Sequence, residues 1–246
     1  MARTLVVIIP HWRIIAAGVT HDHLAVVVNK DQVVDVTPAA AEHGIRLGIR
    51  RREAQKLCAD LKIIDDDEER NVRKFSSVVT ALESVTPRLE MTTGGWCSFP
   101  TRGPSRYFGG DQALARVVAE RTLKALSVTL KTTQVPSVIQ PLVGVADSHF
   151  TAILAAASQS FSRIQIVAPE GSVTFLAPFP IDVLASKYSP LPEANDLVDI
   201  FRRLGLKTLE DVSSLPSEEL LARFGSPGQL ARQLAQGIDD RSPLLR

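Results

Sequence analysis

Runs of aliphatic residues near the start and in the middle of the chain predict buried strands of one sheet. Leu5–Ile9 reads LVVII and Val138–Val145 reads VIQPLVGV, and turn-forming residues bound both runs. The stretch Met91–Gly110 lies between them in the sequence and is expected to supply a third strand. Together the three strands predict a sheet with a working surface at its strand ends.

The residues at those strand ends bear on what the surface can bind. Met91–Gly110 contains no Asp and no Glu, and the first strand runs directly into Pro10, His11, Trp12 and Arg13. A divalent cation used in phosphoryl transfer needs carboxylate oxygens at such a place. The pattern therefore predicts a surface without a bound metal, and we expect no cofactor.

A smaller module is predicted between the first strand and residue 61. Leu24–Asn29 and Val33–Val36 have the pattern of a hairpin pair around the turn at 30–32. Ile45–Leu61 has apolar residues at helical spacing, and its polar face is basic. The apolar positions are Ala54, Leu57, Cys58 and Leu61.

Longer helices are predicted from apolar spacing and from capping residues. Glu68–Glu83 begins in the acidic run Asp65–Glu69, where negative charge suits the helix dipole. Another helix runs from Asp111 to about Leu130, and Asp147 is expected to cap the alanine-rich helix Ser148–Ser158. The buried stripe of the first of these helices is expected to be Val72, Phe75, Val79 and Leu82.

The last third of the chain changes character. Prolines become frequent after Pro169, and we place a domain boundary near Ala168–Phe179. Short helices are predicted at Thr208–Leu215 and at Ser217–Phe224, the latter capped by its first three residues. A preceding amphipathic helix is predicted from the apolar residues Leu197, Ile200, Phe201 and Leu204.

Composition narrows the class of protein only slightly. The 246 residues carry a formal net charge of +1, which neither favours nor excludes a nucleic-acid partner. Cys58 and Cys97 lack the spacing of a zinc site and are expected to be buried thiols, while His11 and the triplet at 21–23 are interpreted as ordinary side chains rather than ligands. The N-terminal apolar run is too short for a signal peptide or a membrane span, so a cytoplasmic protein without a membrane partner is expected.

Four segments in order give the chain a specific resemblance. They read AEHGIRLGIRRREAQKLCADL at 41–61, RGPSRYFGG at 102–110, VGVADSHFTAILAAA at 143–157 and LGLKTLEDVSSLPSEELLARFG at 204–225. The chain resembles the Y-family (translesion) DNA polymerases, and most closely the ImuB-type accessory proteins of bacterial damage-induced mutagenesis.

The resemblance implies an α+β fold with the domains of that family. Its mixed-sheet palm, flanked by helices, would comprise residues 1–15 and 72–168, its small α/β fingers 16–71, and its all-helical, helix-hairpin-helix-like thumb 178–246. The chain stops at Arg246, where the family's little-finger domain would begin, so that domain is expected to be absent from it.

The same resemblance implies that the catalytic and nucleotide-binding positions are degenerate. Active members hold two metal ions about 4 Å apart with an aspartate after the first palm strand and an Asp-Glu pair on the second. Here these positions fall within Ile8–His11 and Gly95–Arg102, which contain no acid, and lysines of the family correspond to His149 and Ile153. The degenerate catalytic positions are Ile9, Pro10, His11, Gly95, Trp96, Pro100 and Ile153, and the degenerate triphosphate-binding positions are Pro38 and Ala41.

The predicted function is therefore binding rather than catalysis. The resemblance implies a non-catalytic adaptor that binds DNA weakly and without sequence preference, with an error-prone replicative polymerase and the sliding clamp as partners whose contacts could lie beyond residue 246. Two alternatives stay open at this point: a translesion polymerase with a residual or relocated site, and a plain DNA-binding module. The candidate DNA-contact residues are Arg46, Arg50, Arg51, Arg52, Arg203, Lys207, Thr208 and Arg223.

Overall fold

A computed structural model describes residues 3–158, 163–191 and 194–239. Its strands are β1 (Thr4–Ile8), β2 (Ala25–Asn29), β3 (Gln32–Val36), β4 (Lys62–Asp65), β5 (Glu90–Thr93), β6 (Trp96–Pro100), β7 (Leu142–Ala146) and β8 (Ile164–Ile166). Its α-helices are α1 (Trp12–Ala16), α2 (Pro38–Glu42), α3 (Arg51–Leu57), α4 (Glu68–Glu83), α5 (Arg102–Phe108), α6 (Asp111–Leu130), α7 (His149–Ala157), α8 (Ser172–Leu176), α9 (Ala194–Arg203), α10 (Leu209–Ser214) and α11 (Ser217–Ala235).

The described strands form two mixed sheets. The larger has the order β5-β6-β1-β7-β8, with β5 antiparallel to β6 and β7 parallel to β8. The smaller has the order β3-β2-β4, with β3 antiparallel and β4 parallel to β2. The larger sheet contains strands from all three predicted regions, and the α+β class is confirmed.

The β2–β3 hairpin of the smaller sheet agrees with the prediction, but β4, the third strand of that sheet, was not predicted. Lys30 and Asp31 have positive φ angles of 46° and 68°, as a tight turn between β2 and β3 requires. The pattern at Ile45–Leu61 predicted one helix, whereas α3 covers only Arg51–Leu57. Glycines at 44 and 48 turn the backbone through positive φ before α3, and the chain extends again afterwards into β4.

Two boundaries in the larger sheet differ from the prediction because of local backbone chemistry. Val138–Val145 was expected to be one strand, but Ser137–Ile139 forms a 3-10 turn and β7 begins only at Leu142. Pro141, which has no N–H to give to a ladder, lies between them. The cap of α7 is Ser148 rather than Asp147, because the Ser148 side chain accepts from the Thr151 N–H.

The buried face of α4 is rotated from the predicted stripe. Phe75 and Leu82 are buried as expected, but the other buried positions are Asn71 and Val78 rather than Val72 and Val79. Asn71 is buried because its amide bonds to a carboxylate, which hydrophobic periodicity cannot detect. With Asn71 on the inner face, the buried stripe of α4 runs through Val78 instead of Val79.

The C-terminal helices were predicted in order, with two errors. Ile200 and Leu204 were assigned to the inner face of α9, yet they are 41% and 54% exposed, and Val198 is buried instead. Helix α11 has Pro216 at its cap position without a side-chain hydrogen bond, so the cap predicted at Ser217 is wrong. The predicted end at Phe224 agrees with the non-helical backbone of Gly225, and a second helical segment, which was not predicted, follows this kink. Residues 192–193 and 240–246 of the predicted thumb lie outside the described residues.

The chain divides into two compact units. One comprises the described residues within Met1–Val6, Phe99–Ala115 and Val143–Leu244, and the other those within Val7–Ser98 and Arg116–Leu142. A hydrophobic core of the first unit joins α7 to the C-terminal helices through residues such as Phe150 and Phe201. The palm, fingers and thumb boundaries stay a prediction.

Candidate functional site

The ends of the two central strands that should carry metal ligands in a polymerase lie side by side. The Ile9 N–H donates a hydrogen bond of 2.9 Å to the Gly95 carbonyl oxygen, so the backbone after β1 meets the turn before β6. Ile9 is 2% exposed and Gly95 is buried. The two predicted positions are thus brought together, and the groups that meet there are a backbone N–H and a backbone carbonyl.

Trp12 fills the space in front of Gly95. Gly95 has φ of 95°, and a Cβ built on it would lie 2.5 Å from the Trp12 Cβ. The indole is anchored on its other sides: its Nε1–H donates to the Asn71 carbonyl oxygen at 3.0 Å, and its ring packs edge-on against Phe75 at 5.2 Å between centroids. A side chain at position 95 would therefore need both a rare backbone conformation and a displaced indole.

His11 is held by the smaller sheet. It has a left-handed φ of 54° at the start of α1, and its Nδ1 lies 3.3 Å from Asp35 Oδ1 on β3. The second carboxylate oxygen, Oδ2, accepts the Ile14 N–H at 3.3 Å. Asp35 was not predicted to have a role, and its two contacts fix the entry into α1.

A buried carboxylate, Asp66, links the elements around this point. Its oxygens accept from Arg13 Nε at 3.2 Å, from Asn29 Nδ2 at 3.1 Å and from Asn71 Nδ2 at 2.9 Å. Burial alone would raise the pKa of Asp66, but these donors and the Arg13 charge together hold the pKa below its usual value of 3.8. The sequence placed Asp66 in an acidic run, and no pattern around it indicated burial.

A small cavity opens beside His11 and Pro38. Its volume is about 160 Å³, and aliphatic side chains such as Ile14 and Leu130 form much of its lining together with His21. Among the described residues that line it, none is Lys or Arg. Phosphate oxygens would therefore find no cationic side chain there to pair with.

The remaining degenerate positions are scattered over helices and strand ends. Ala41 is exposed on α2, and Pro100 is half-buried at the end of β6. Trp96 is half-buried and opposes Thr93 in the β5–β6 pair. Ile153 is 3% exposed on α7, so its side chain contributes to packing.

The predicted basic residues of the 16–71 region lie on exposed surface. Arg46 precedes α3, Arg50 occupies its cap position, and Arg51 and Arg52 form its first turn. Only Arg51 has a carboxylate near it among the described ion pairs, the 88% exposed side chain of Asp65 at 4.0 Å. Such a pair contributes little, so these side chains are available to another anion.

Of the DNA-contact residues predicted in the C-terminal region, three have exposed side chains and one uses its side chain to cap a helix. Arg203, Lys207 and Arg223 are exposed. The Thr208 hydroxyl accepts from the Asp211 N–H as the cap of α10. Backbone N–H groups of Lys207 and Thr208 donate in turn to the Asp211 carboxylate and lower its pKa.

The cysteines, the acidic and histidine side chains and the helix lengths were each inspected for further sites. Both cysteines are free and buried, as expected, and burial raises the pKa of the Cys97 thiol to about 12. Across residues 3–158, 163–191 and 194–239, no group of three or more His, Cys, Asp or Glu side chains has an arrangement that could hold a metal ion. In the same ranges, no helix combines the length and apolar character that a bilayer span requires.

The sequence of the chain was compared with protein families and with curated proteins. The model of the impB/mucB/samB family matches residues 19–157, which is more than half of the chain. DNA polymerase IV of Pseudomonas putida is 24% identical over 230 residues, covering 94% of this chain and 58% of the relative. The chain thus spans little more than half the length of this curated relative.

Solved structures share the fold at low sequence identity. A Dbh ternary complex has a TM-score of 0.69 at 16% identity and covers 96% of this chain and 67% of its own. DinB from Sulfolobus solfataricus has a TM-score of 0.73 at 15% identity and covers 98% of this chain and 69% of its own. The predicted polymerase-like architecture is confirmed by these similarities.

Proposed function

The chain belongs to the impB/mucB/samB family, and on that premise we propose that it is a non-catalytic, polymerase-like adaptor of ImuB type in translesion synthesis. It binds DNA weakly and without sequence preference, and it recruits an error-prone replicative polymerase and the sliding clamp. The proposal assigns these two protein contacts to no particular residue. A cytoplasmic, nucleoid-associated location belongs to the same proposal, because chromosomal DNA would be the ligand.

The observation that carries the proposal is the chemistry of the paired strand ends. Two-metal phosphoryl transfer depends on carboxylates that hold both cations between attacking and leaving oxygens. At the junction of Ile9 and Gly95, the groups that meet are a backbone N–H and a carbonyl, and the Trp12 side chain packs directly against Gly95. Hard cations such as Mg²⁺ need several oxygen ligands, which this junction does not offer.

The packing of Gly95 supports the same proposal independently of any alignment detail. A one-residue error in register would still have to place an acid within 8–11 or 95–102, and neither segment contains one. Position 95 itself excludes a side chain, since a Cβ there would overlap Trp12. The site is committed to packing rather than to ligand binding.

The surroundings of Pro38 support loss of nucleotide binding. The triphosphate of a polymerase substrate is normally held by cationic side chains with planar or point charges that match its oxygens. The lining of the cavity at Pro38 contains no Lys or Arg among the described residues, and Ala41 has no hydrogen-bonding group on its side chain. The triphosphate of an incoming nucleotide would therefore be bound weakly or not at all.

DNA contact is assigned to exposed cationic side chains in two regions. Arg46, Arg50 and Arg52 make no ion pair with any described residue, and Arg51 has only the distant Asp65. Near the C-terminus, Arg203, Lys207 and Arg223 are exposed in the same way. Such contacts release counterions from the phosphate backbone, so binding should weaken steeply as salt increases.

Primer extension tests the proposal. The whole chain at high concentration is incubated with a primed template, all four dNTPs and either Mg²⁺ or Mn²⁺, with an active DNA polymerase IV as positive control. We expect no extension above background. Templated incorporation that disappears when residues within 8–11 or 95–102 are changed would overturn the proposal.

One observation favours a second function. The curated relatives are named DNA polymerase IV, so a polymerase whose metal site has moved is the alternative. That alternative predicts saturable binding of a complementary dNTP to the chain with primed template and Mn²⁺, measured by calorimetry. The adaptor proposal predicts no such heat.

A further inference from the structure

We infer that α5 carries a contact site for single-stranded nucleic acid, built from the Tyr107 ring and the guanidinium groups of Arg102 and Arg106. These residues belong to neither of the two basic groups already proposed to contact DNA. The inference rests on the proposed DNA-binding role but not on the proposed lack of catalysis. All of its residues lie within one short helix of a single compact unit.

The first observation is the exposure of an aromatic ring. Tyr107 is 85% exposed. The other exposed large hydrophobic side chains of the described residues are all aliphatic apart from Met91. A solvent-exposed ring of this size forgoes the apolar burial that aromatic side chains normally obtain in a core.

The second observation is that the ring is held in place. Tyr107 and Phe108 pack edge to face, with 4.8 Å between ring centroids and 83° between ring planes. This contact restricts the Tyr107 side chain to rotamers that keep it against Phe108. In the observed rotamer the Tyr107 side chain is exposed. An aromatic platform that is already ordered loses less conformational entropy when a ligand stacks on it.

The third observation is open space beside the ring. Gly103 lies one helical turn before Tyr107 on the same stripe of α5. A Cβ built on Gly103 would have nothing within 4 Å. Position 103 therefore places no side chain in the way of a flat ligand that approaches the exposed Tyr107 ring along this stripe.

The fourth observation is uncompensated positive charge. Arg102 and Arg106 are spaced by four residues on the stripe next to Tyr107, both are exposed, and neither forms an ion pair with any described residue. The helix α5 contains no Asp or Glu. The next acid along the chain, Asp111, is engaged by Arg3 at 2.7 Å and by the Ser105 hydroxyl.

Single-stranded nucleic acid fits this combination better than an acidic peptide does. A base can stack on the open ring while adjoining phosphates pair with the guanidinium groups, and every base has a face suited to stacking. A carboxylate-rich peptide would use the arginines but would gain nothing from the exposed ring. Base stacking therefore explains both features of α5 at once.

The test measures binding of the whole chain to fluorescein-labelled oligo(dT) by fluorescence anisotropy across a series of salt concentrations. Tyr107→Ala should weaken binding about fivefold or more with an unchanged salt slope, and Tyr107→Phe should bind like the wild type. Gly103→Leu should also weaken binding, because its side chain covers the ring without changing charge. Arg106→Ala should reduce the steepness of the slope of log affinity against log salt by about 0.7.

Arg88→Ala is the matched control, because it removes an exposed arginine that belongs to the other compact unit and to none of the proposed contact groups, and it should leave both affinity and slope unchanged. If the wild type binds and Tyr107→Ala binds equally well, the inference is wrong while the proposed DNA-binding role survives. If the wild type binds labelled duplex DNA but not oligo(dT), the inference is wrong while the proposed DNA-binding role survives, and if it binds neither, both are wrong. A labelled acidic peptide whose binding depends on Tyr107, with oligo(dT) binding independent of it, would also overturn the inference.

Discussion

The space in front of Gly95 is filled by the Trp12 side chain, and this single contact has a measurable consequence. Gly95→Ala should lower the free energy of unfolding by about 3 kcal/mol, because the new Cβ meets Trp12 and the residue must keep a positive φ. Equilibrium urea denaturation measures the loss.

Gly48→Ala is the control that separates these two causes. Gly48 has a similar φ of 86° but nothing within 4 Å of a Cβ, so only the backbone strain of about 1 kcal/mol should appear. If the two variants lost the same stability, Trp12 would have to give way easily. Position 95 could then accept a carboxylate, and the argument from packing would fail.

The buried Asp66 predicts a pH dependence. Because its folded-state pKa lies below the usual value of 3.8, the ionised carboxylate stabilises the folded state. That contribution is complete above the unfolded-state pKa and is lost as the pH falls through the folded-state pKa. Asp66→Asn should therefore cost about 1.5 kcal/mol near neutral pH, because hydrogen bonds to a charged group are weakened, and the difference from the wild type should shrink below about pH 4.

Urea denaturation at several pH values measures this difference, with Asp65→Asn as the neighbouring control. The Asp65 side chain is 88% exposed and has only the 4.0 Å contact with Arg51, so its removal should change stability by less than about 1 kcal/mol. A loss for Asp66→Asn that stays constant down to pH 2 would show that packing, not charge, is what Asp66 contributes.

At the scale of secondary-structure elements, the close contact between β7 and α7 depends on Gly144. A Cβ there would lie 2.1 Å from the Ala152 carbonyl oxygen and 2.5 Å from the Ala156 nitrogen, so helix and strand touch through backbone. Gly144→Ala should lower the unfolding free energy by about 3 kcal/mol or prevent folding, as judged by the urea midpoint. Gly103→Ala, at an open helical position, should be neutral or slightly stabilising.

The elements that were predicted correctly are those whose signals are local. The β2–β3 hairpin, the bounds of α4 and the span of α6 follow from alternation, caps and apolar spacing within each segment. Helix α5 was missed because Gly103 and Pro104 are typical of loops, although Pro is compatible with a first helical turn. Strand β4 has only four residues and ends in Asp65, so its own sequence gives little strand signal. It forms because it pairs with β2.

For the whole molecule, the family and the architecture could be predicted from the order of four motifs, but the contacts that support the candidate site could not. The Asp66 network joins residues from positions 13 to 71, and Arg3 bonds to Asp111, Asp147 and the Val167 carbonyl across more than a hundred positions. Such contacts depend on the folded arrangement and leave no periodic trace in the sequence. The exposure of the Tyr107 ring could not be predicted from the sequence for the same reason.

The central claim is that the meeting point of the two strand ends no longer holds cations. Crystals of the chain with primed DNA, soaked with Mn²⁺ and a complementary dNTP, test it through the anomalous scattering of manganese. The account predicts no manganese peak between Ile9 and Gly95 and no ordered triphosphate beside Pro38. Two manganese ions about 4 Å apart, bound to side chains at these strand ends and bridged by a triphosphate, would contradict it.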